Sequence, residues 1–217
     1  MSAAPATGKT GRRRMSAAAR RAEILLGGMR VFAERGYAGA SMVEIAGAAG
    51  VTAAVVYDHF DSKQALHGAL LEEQTDVLML HVAEAVSRTT ETEERMKVGV
   101  DSFFEFVDEH PFAWRLIFRD PPADPEIAAV HVRIHKRVTE GIAAFLDISA
   151  PGFLRDDASR AETLKMFAEL LKMTLNGMAN WWYEHLDVPR EEVVERVLDF
   201  CWRGLGNLEG RLSALSP

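Results

Sequence analysis

Residues 41–60 read SMVEIAGAAGVTAAVVYDHF. Ser41 stands three residues before Glu44, the spacing of a capping box, in which the hydroxyl and the carboxylate each satisfy a free backbone N–H at a helix start. The helix so begun is expected to reach about Ala49. Gly50-Val51 makes a tight turn, and Thr52 can cap a second short helix to about His59. Ile45, Ala46, Ala49, Val51 and Val56 can close a small core between the two. The alanines and glycines of 46–50 allow close approach. Two short helices about a glycine-containing turn match a helix-turn-helix. Its second helix would lie in a major groove with its first residues toward base edges.

Helical punctuation continues on both sides. Upstream, Ile24, Leu25, Met29, Val31 and Phe32 recur at helical spacing over about 16–35, and Gly36 suits the left-handed residue that ends a helix. Downstream, Asp61 or Ser62 caps a long helix to about Arg88. Further helices are expected at about 92–109, 111–119, 124–147, 157–186 and 190–213, divided by Pro111, Pro121-Pro122, Pro151-Gly152 and Pro189. The fold class is therefore all-α with about nine helices. The expected organisation is a basic, disordered arm at 1–15, a helix-turn-helix head at 16–68 and a larger helical body at 69–217.

Charge follows the same division. The chain of 217 residues carries a net −7. Residues 1–68 hold nine Lys/Arg against five Asp/Glu, a balance of +4 that leaves −11 for the rest. A basic head on an acidic body suggests that the head alone meets a polyanion. One cysteine, Cys201, excludes an internal disulfide framework and a multi-cysteine metal site, and fits a reducing cytoplasm. No run of about 18 apolar residues or secretory h-region occurs, so no membrane partner is expected. Gly8-Lys9-Thr10 resembles the end of a P-loop, but Ala3 occupies the first glycine position. No catalytic signature is evident in the body, and no cofactor is expected.

Residues 20–70 resemble the DNA-binding head of the TetR (tetracycline-repressor-like) transcriptional regulators. The resemblance is carried by Ile24-Leu25, Val31-Phe32-Ala33-Glu34-Arg35-Gly36-Tyr37, Ser41 to Ala46, Ala49-Gly50-Val51-Thr52, Tyr57-Asp58-His59-Phe60, Ser62-Lys63 and Leu66. It implies phosphate contacts from Tyr57 and His59. Ser41 and Thr52, at helix N-termini, could hold phosphate oxygens, and Lys63 would neutralise another phosphate. The segment Ala53-Ala54-Val55-Val56 departs from the family's polar pattern. Ala53, Ala54 and Val56 offer only apolar contact to thymine methyls and no donor for a base edge. Arg12, Arg13 and Arg14 either enter an adjacent minor groove or form a solvated tail with non-specific attraction.

In the body, Met166, Leu170, Met173, Gly177 and Trp181 share one helical stripe, and aromatic residues cluster at 103–118. An apolar cavity for an apolar or aromatic effector is expected near Phe103, Trp114, Phe118, His131, Met173, Asn176 and Trp181; plain core is the alternative for each. Val194, Leu198, Cys201, Leu205 and Leu208 recur at spacings of four and three, an a/d seam. It could pack internally; the family resemblance implies that it joins two copies as a homodimer. The expected function is a ligand-responsive DNA-binding regulator of double-stranded DNA, a repressor released from an inverted repeat. An activator of the same fold, or an all-helical carrier or enzyme with a vestigial helix-turn-helix, remains open.

Overall fold

The computed structural model describes residues 15–119, 124–149 and 159–201. Every regular element among them is helical. In chain order they are α1 (Ala17–Gly39), α2 (Met42–Ala48), α3 (Ala53–Tyr57), α4 (Lys63–Val86), α5 (Thr92–Glu109), α6 (Pro111–Trp114), α7 (Pro125–Ser149) and α8 (Arg160–Tyr183). A ninth, α9, covers 190–201. α6 continues into a π-helical turn, Arg115–Arg119. Arg12, Arg13, Arg14, Leu205 and Leu208 lie outside the described residues.

The caps follow the sequence closely. Ser41 Oγ accepts from Glu44 N, and Glu44 accepts from Ser41 N, completing the capping box. Thr52 caps α3 through Val55 N at 3.4 Å, and Ser62 caps α4 through Ala65 N at 3.0 Å. Gly36 breaks α1 at φ 67°, and Gly50 turns the chain between α2 and α3 at φ 65°, both in the region where a Cβ is strained.

Three apolar clusters stack along the molecule, and α4 enters all of them. In the first, Ile24, Leu25, Phe32, Ile45, Val56, Leu66 and Leu70 join α1 to the start of α4. Leu71 meets Ile117, Ile127, Ile134 and Val138 in the second. The third places Leu78 with Val100, Phe104, Phe106, Trp114, Ala179 and Trp182. Each fully buried aliphatic or aromatic side chain contributes roughly 1.5–3 kcal/mol of transfer free energy. The body packs α7 against α8, and α4 against both α5 and α7.

Candidate functional site

The helix-turn-helix is held by very close packing. A Cβ on Gly27 of α1 would stand 2.9 Å from Ala49 N and 3.0 Å from Ala49 Cβ. Only glycine lets α1 lie this near the turn. On α3, Thr52, Ala54 and Tyr57 face solvent, Tyr57 with 52% of its surface exposed. His59 is half-buried. Ala53 and Val55 lean on the head core, and Val56 is fully buried in it. The thymine-methyl contact expected of Val56 is therefore corrected: its side chain points to Ile45 and Leu66, away from the exposed face.

Two further expectations are corrected by hydrogen bonds. Lys63 Nζ donates to the carbonyls of Tyr37 and Ala40 at 2.7 and 2.9 Å and lies 4.4 Å from the Tyr37 ring centre. It fastens the end of α1 to α4 instead of reaching outward for a phosphate. Ser41 spends both donors on Glu44: its N–H at 3.0 Å and its hydroxyl at 2.8 Å. Glu44 also pairs with Arg35 at 2.6 Å, and the hydroxyl contact holds its carboxyl below the usual range. A phosphate at Ser41 would meet a carboxylate.

Within the body, α4, α5, α7 and α8 enclose a cavity of about 390 Å³. That is a small-molecule volume. Val82, Val86, Met96, Phe103, Phe118 and Phe145 represent its predominantly apolar wall. Gly99 and Gly141 thin it: a Cβ on Gly141 would lie 2.8 Å from Met79 Cε. Phe103, Phe118 and Asn176 line this space as expected, and Asn176 Oδ1 has no hydrogen-bond partner. Trp114 does not; it is buried in the core with the Tyr183 ring tilted against it at 5.8 Å. Met173 and Trp181 lie on the opposite, outer side of α8, Met173 with 68% of its surface exposed. Met166 and Leu170 are exposed with them. The inward stripe is Leu164, Ala168, Lys172, Leu175 and Ala179. Two positions along a helix rotate a side chain by about 200°, so Met173 and Leu175 take opposite faces.

Lys172 is the polar residue that the sequence reading missed. It is a cation on an otherwise apolar stripe, which was the available signal. Its Nζ donates to Thr139 Oγ1 at 2.7 Å, Glu169 at 2.8 Å and the His135 carbonyl at 3.4 Å. Lys172 and Phe118 divide the cavity from an open groove between α7 and α8, which His131 and His135 line. From Phe118 a chain of rings leads to the head. Phe118 lies 5.7 Å from His135, His135 6.3 Å from His131, and His131 6.4 Å from His67. His67, also missed, packs edge-on between Phe32 and Tyr37 at 4.9 and 5.1 Å. Burial lowers all three histidines, with His67 pushed down to about 4. Neighbouring positive charge adds to burial in each case: His131 and Lys63 at His67, His135 at His131, and Lys172 at His135.

The a/d seam of α9 is corrected as well. Val194 and Cys201 are buried, and Leu198 packs on the same core beside Phe104 and Trp182. Burial raises the Cys201 thiol. Val194, Leu198 and Cys201 thus close the chain's own core, the internal packing that the spacing also allowed; the seam's other two residues, Leu205 and Leu208, are not among the described residues. Phe200, on the other side of α9, is exposed.

Comparison with known proteins matches both halves of the chain. The model of bacterial regulatory proteins of the tetR family matches residues 24–70. The model of the tetracyclin repressor-like C-terminal domain matches residues 92–204. The HTH-type transcriptional activator FasR of Mycolicibacterium smegmatis is 31% identical over 206 residues, covering 94% of this chain and 91% of that protein. Two solved structures share the fold. The fatty acid degradation regulator FadR of Bacillus halodurans is 19% identical with a TM-score of 0.73, over 90% of this chain and 98% of that one. The regulator FadR of Bacillus subtilis in complex with stearoyl-CoA is 15% identical with a TM-score of 0.70, over 83% and 96%.

Proposed function

The chain belongs to the tetR family of bacterial regulatory proteins and is a transcriptional regulator, and on that premise we propose that it works as a cytoplasmic homodimer on an inverted-repeat operator, controlled by an elongated, mostly apolar ligand of the long-chain acyl class. One observation carries this reading: the cavity wall and the head core are built on the same helix, α4. The stearoyl-CoA complex of the Bacillus subtilis regulator supports an acyl ligand for a cavity of this shape. The ring chain from Phe118 through His135, His131 and His67 to Phe32 and Tyr37 is the packed route by which an occupied cavity would bias the head.

Thr52, Ala53, Ala54, Tyr57 and His59 are the proposed DNA contacts from the described residues, with Arg12, Arg13 and Arg14 beside them. The exposed stripe of Met166, Leu170, Met173 and Trp181, continued by Phe200, supports an interface formed by the outer faces of α8 and α9. Ligand-driven release would switch genes on behind a repressor and off behind an activator. The name of the 31% identical relative favours activation over the repression suggested by the head's resemblance.

Selection of bound duplexes from a random pool tests the reading, with the full chain beside a variant lacking residues 1–15. The expected result is an enriched inverted repeat whose affinity changes when palmitoyl-CoA is added. No enrichment at low or moderate salt refutes it. Loss of all affinity equally on removing 1–15 would leave the arm non-specific.

A further inference from the structure

The cavity's polar side chains fall at two ends, and only one end has charge to spare. At the end nearer the head, Lys172 is already neutralised by Glu169 and shared with Thr139 and His135, and Asn176, one turn further along α8, brings an uncharged amide whose Oδ1 accepts and carries no charge for an anion. At the other end are Ser87 after α4, Arg95 in the first turn of α5, and Ser149 at the close of α7. The Ser87 hydroxyl is spent on the Glu84 carbonyl at 2.8 Å. Arg95 donates Nε to the Thr89 carbonyl at 2.8 Å. Among the described residues no carboxylate pairs with it, so four of its five N–H donors remain for a ligand. Ser149 keeps 2% of its surface exposed, and its hydroxyl has no hydrogen-bond partner among the described residues. A buried unpartnered hydroxyl costs roughly 1–3 kcal/mol, a loss that a bound acceptor would recover. Ile148, lining the same end, is 67% exposed.

We propose that Arg95, with Ser149 beside it, is the binding site for the anionic head group of the cavity's ligand, whose apolar tail then runs inward toward Phe103 and Phe118. The inference rests on the cavity being the effector site. It adds the polarity of the ligand and the requirement for a negative charge at one end. From Leu78 to Ser87 the α4 wall extends about 14 Å at 1.5 Å per residue, so an apolar tail can run along it from Arg95 toward Phe103 and Phe118. A carboxylate and a phosphate both offer the paired oxygens that a guanidinium fork prefers.

The test is direct titration of the full-length protein with palmitate, methyl palmitate and palmitoyl-CoA, repeated with Arg95→Gln, Arg95→Lys and Ser149→Ala. Arg95 is half-buried at a helix start, and thermal unfolding of each variant verifies that it folds. Palmitate is expected to bind the wild type at least tenfold more tightly than its methyl ester, and Arg95→Gln to abolish that preference, as loss of a charge-assisted contact would. Arg95→Lys should restore part of it. A fall in palmitoyl-CoA affinity alongside palmitate would place a phosphate at Arg95; a fall for palmitate alone would place a carboxylate there. Equal binding of palmitate and ester to the wild type overturns the head-group site and leaves the cavity reading standing. So does unchanged palmitate affinity in Arg95→Gln. If no probe binds the wild type, the cavity reading falls and the head-group site with it.

Discussion

Acidification from pH 7 to pH 5 should destabilise this protein through one residue more than any other. His67 has an ordinary value of 6.5 and is pushed down to about 4, chiefly by burial. A base whose folded value is depressed binds its proton more readily when unfolded. Stability is therefore fully present above 6.5 and falls as the pH drops from 6.5 toward about 4, below which it levels off. At pH 5 the unfolded histidine is almost fully charged and the folded one almost wholly neutral. Linkage between those two values gives a loss of about 2 kcal/mol from pH 7 to pH 5. His67→Phe keeps the edge contacts with Phe32 and Tyr37 and removes the titration. The assay is urea unfolding followed by circular dichroism at both pH values for wild type and variant. The wild type should lose about 2 kcal/mol more than His67→Phe over that interval. His131 and His135 shift in the same direction in both proteins, so the comparison isolates His67. Equal losses would refute the reasoning.

Gly27→Val should destabilise the head by about 1–3 kcal/mol, because its Cβ meets backbone at Ala49, which cannot rotate away; thermal unfolding with and without operator measures it. Tyr57→Ala should weaken DNA binding by roughly tenfold, as expected for one lost hydrogen bond to a charged oxygen, while unfolding stays unchanged because the ring is exposed; a titration against the selected duplex decides. Leu170→Glu with Met173→Glu should shift the protein to a monomer, read by sedimentation, with the fold retained since both side chains face solvent. Lys172→Met should cost no more than about 1.5 kcal/mol, because the Glu169 carboxylate left behind is half exposed and can hydrate, so the lost pair is not a buried one on both sides; urea unfolding reads the difference.

The head was legible because its boundaries are written in residue types with single local consequences. Ser41 with Glu44, Gly50 at positive φ, Thr52 and Ser62 each do in the structure what their chemistry demands of a neighbouring N–H or dihedral. The cavity was harder to read because α8 is apolar on two sides. The stripe through Met166 and Met173 and the stripe through Leu164 and Leu175 have equal periodicity. Periodicity gives the spacing of a face and says nothing about which face turns inward. Phe103, Phe118 and Asn176 were read as cavity residues from their apolar neighbourhood, and they line the cavity. Arg95 and Ser149 were not, since a lone arginine near a helix start and a serine near a helix end read as ordinary surface and cap residues. In α9, Val194, Leu198 and Cys201 lie together on the chain's own core; what such a seam packs against is a tertiary matter that spacing leaves open.

The length of α4 has a mechanical consequence. Its 24 residues span about 36 Å at 1.5 Å per residue, with the head core on its first turns and the cavity wall on its last three. A tilt of only about 5° about one end carries the other through roughly 3 Å. In a two-fold dimer the two displacements act in opposite senses, so the spacing of the paired α3 helices changes by roughly 6 Å. Successive major grooves repeat every ~34 Å, and a shift of that size takes one α3 out of register with its half-site. A ligand would therefore need to move the cavity wall by no more than a fraction of a side chain. The helix supplies the gain by geometry.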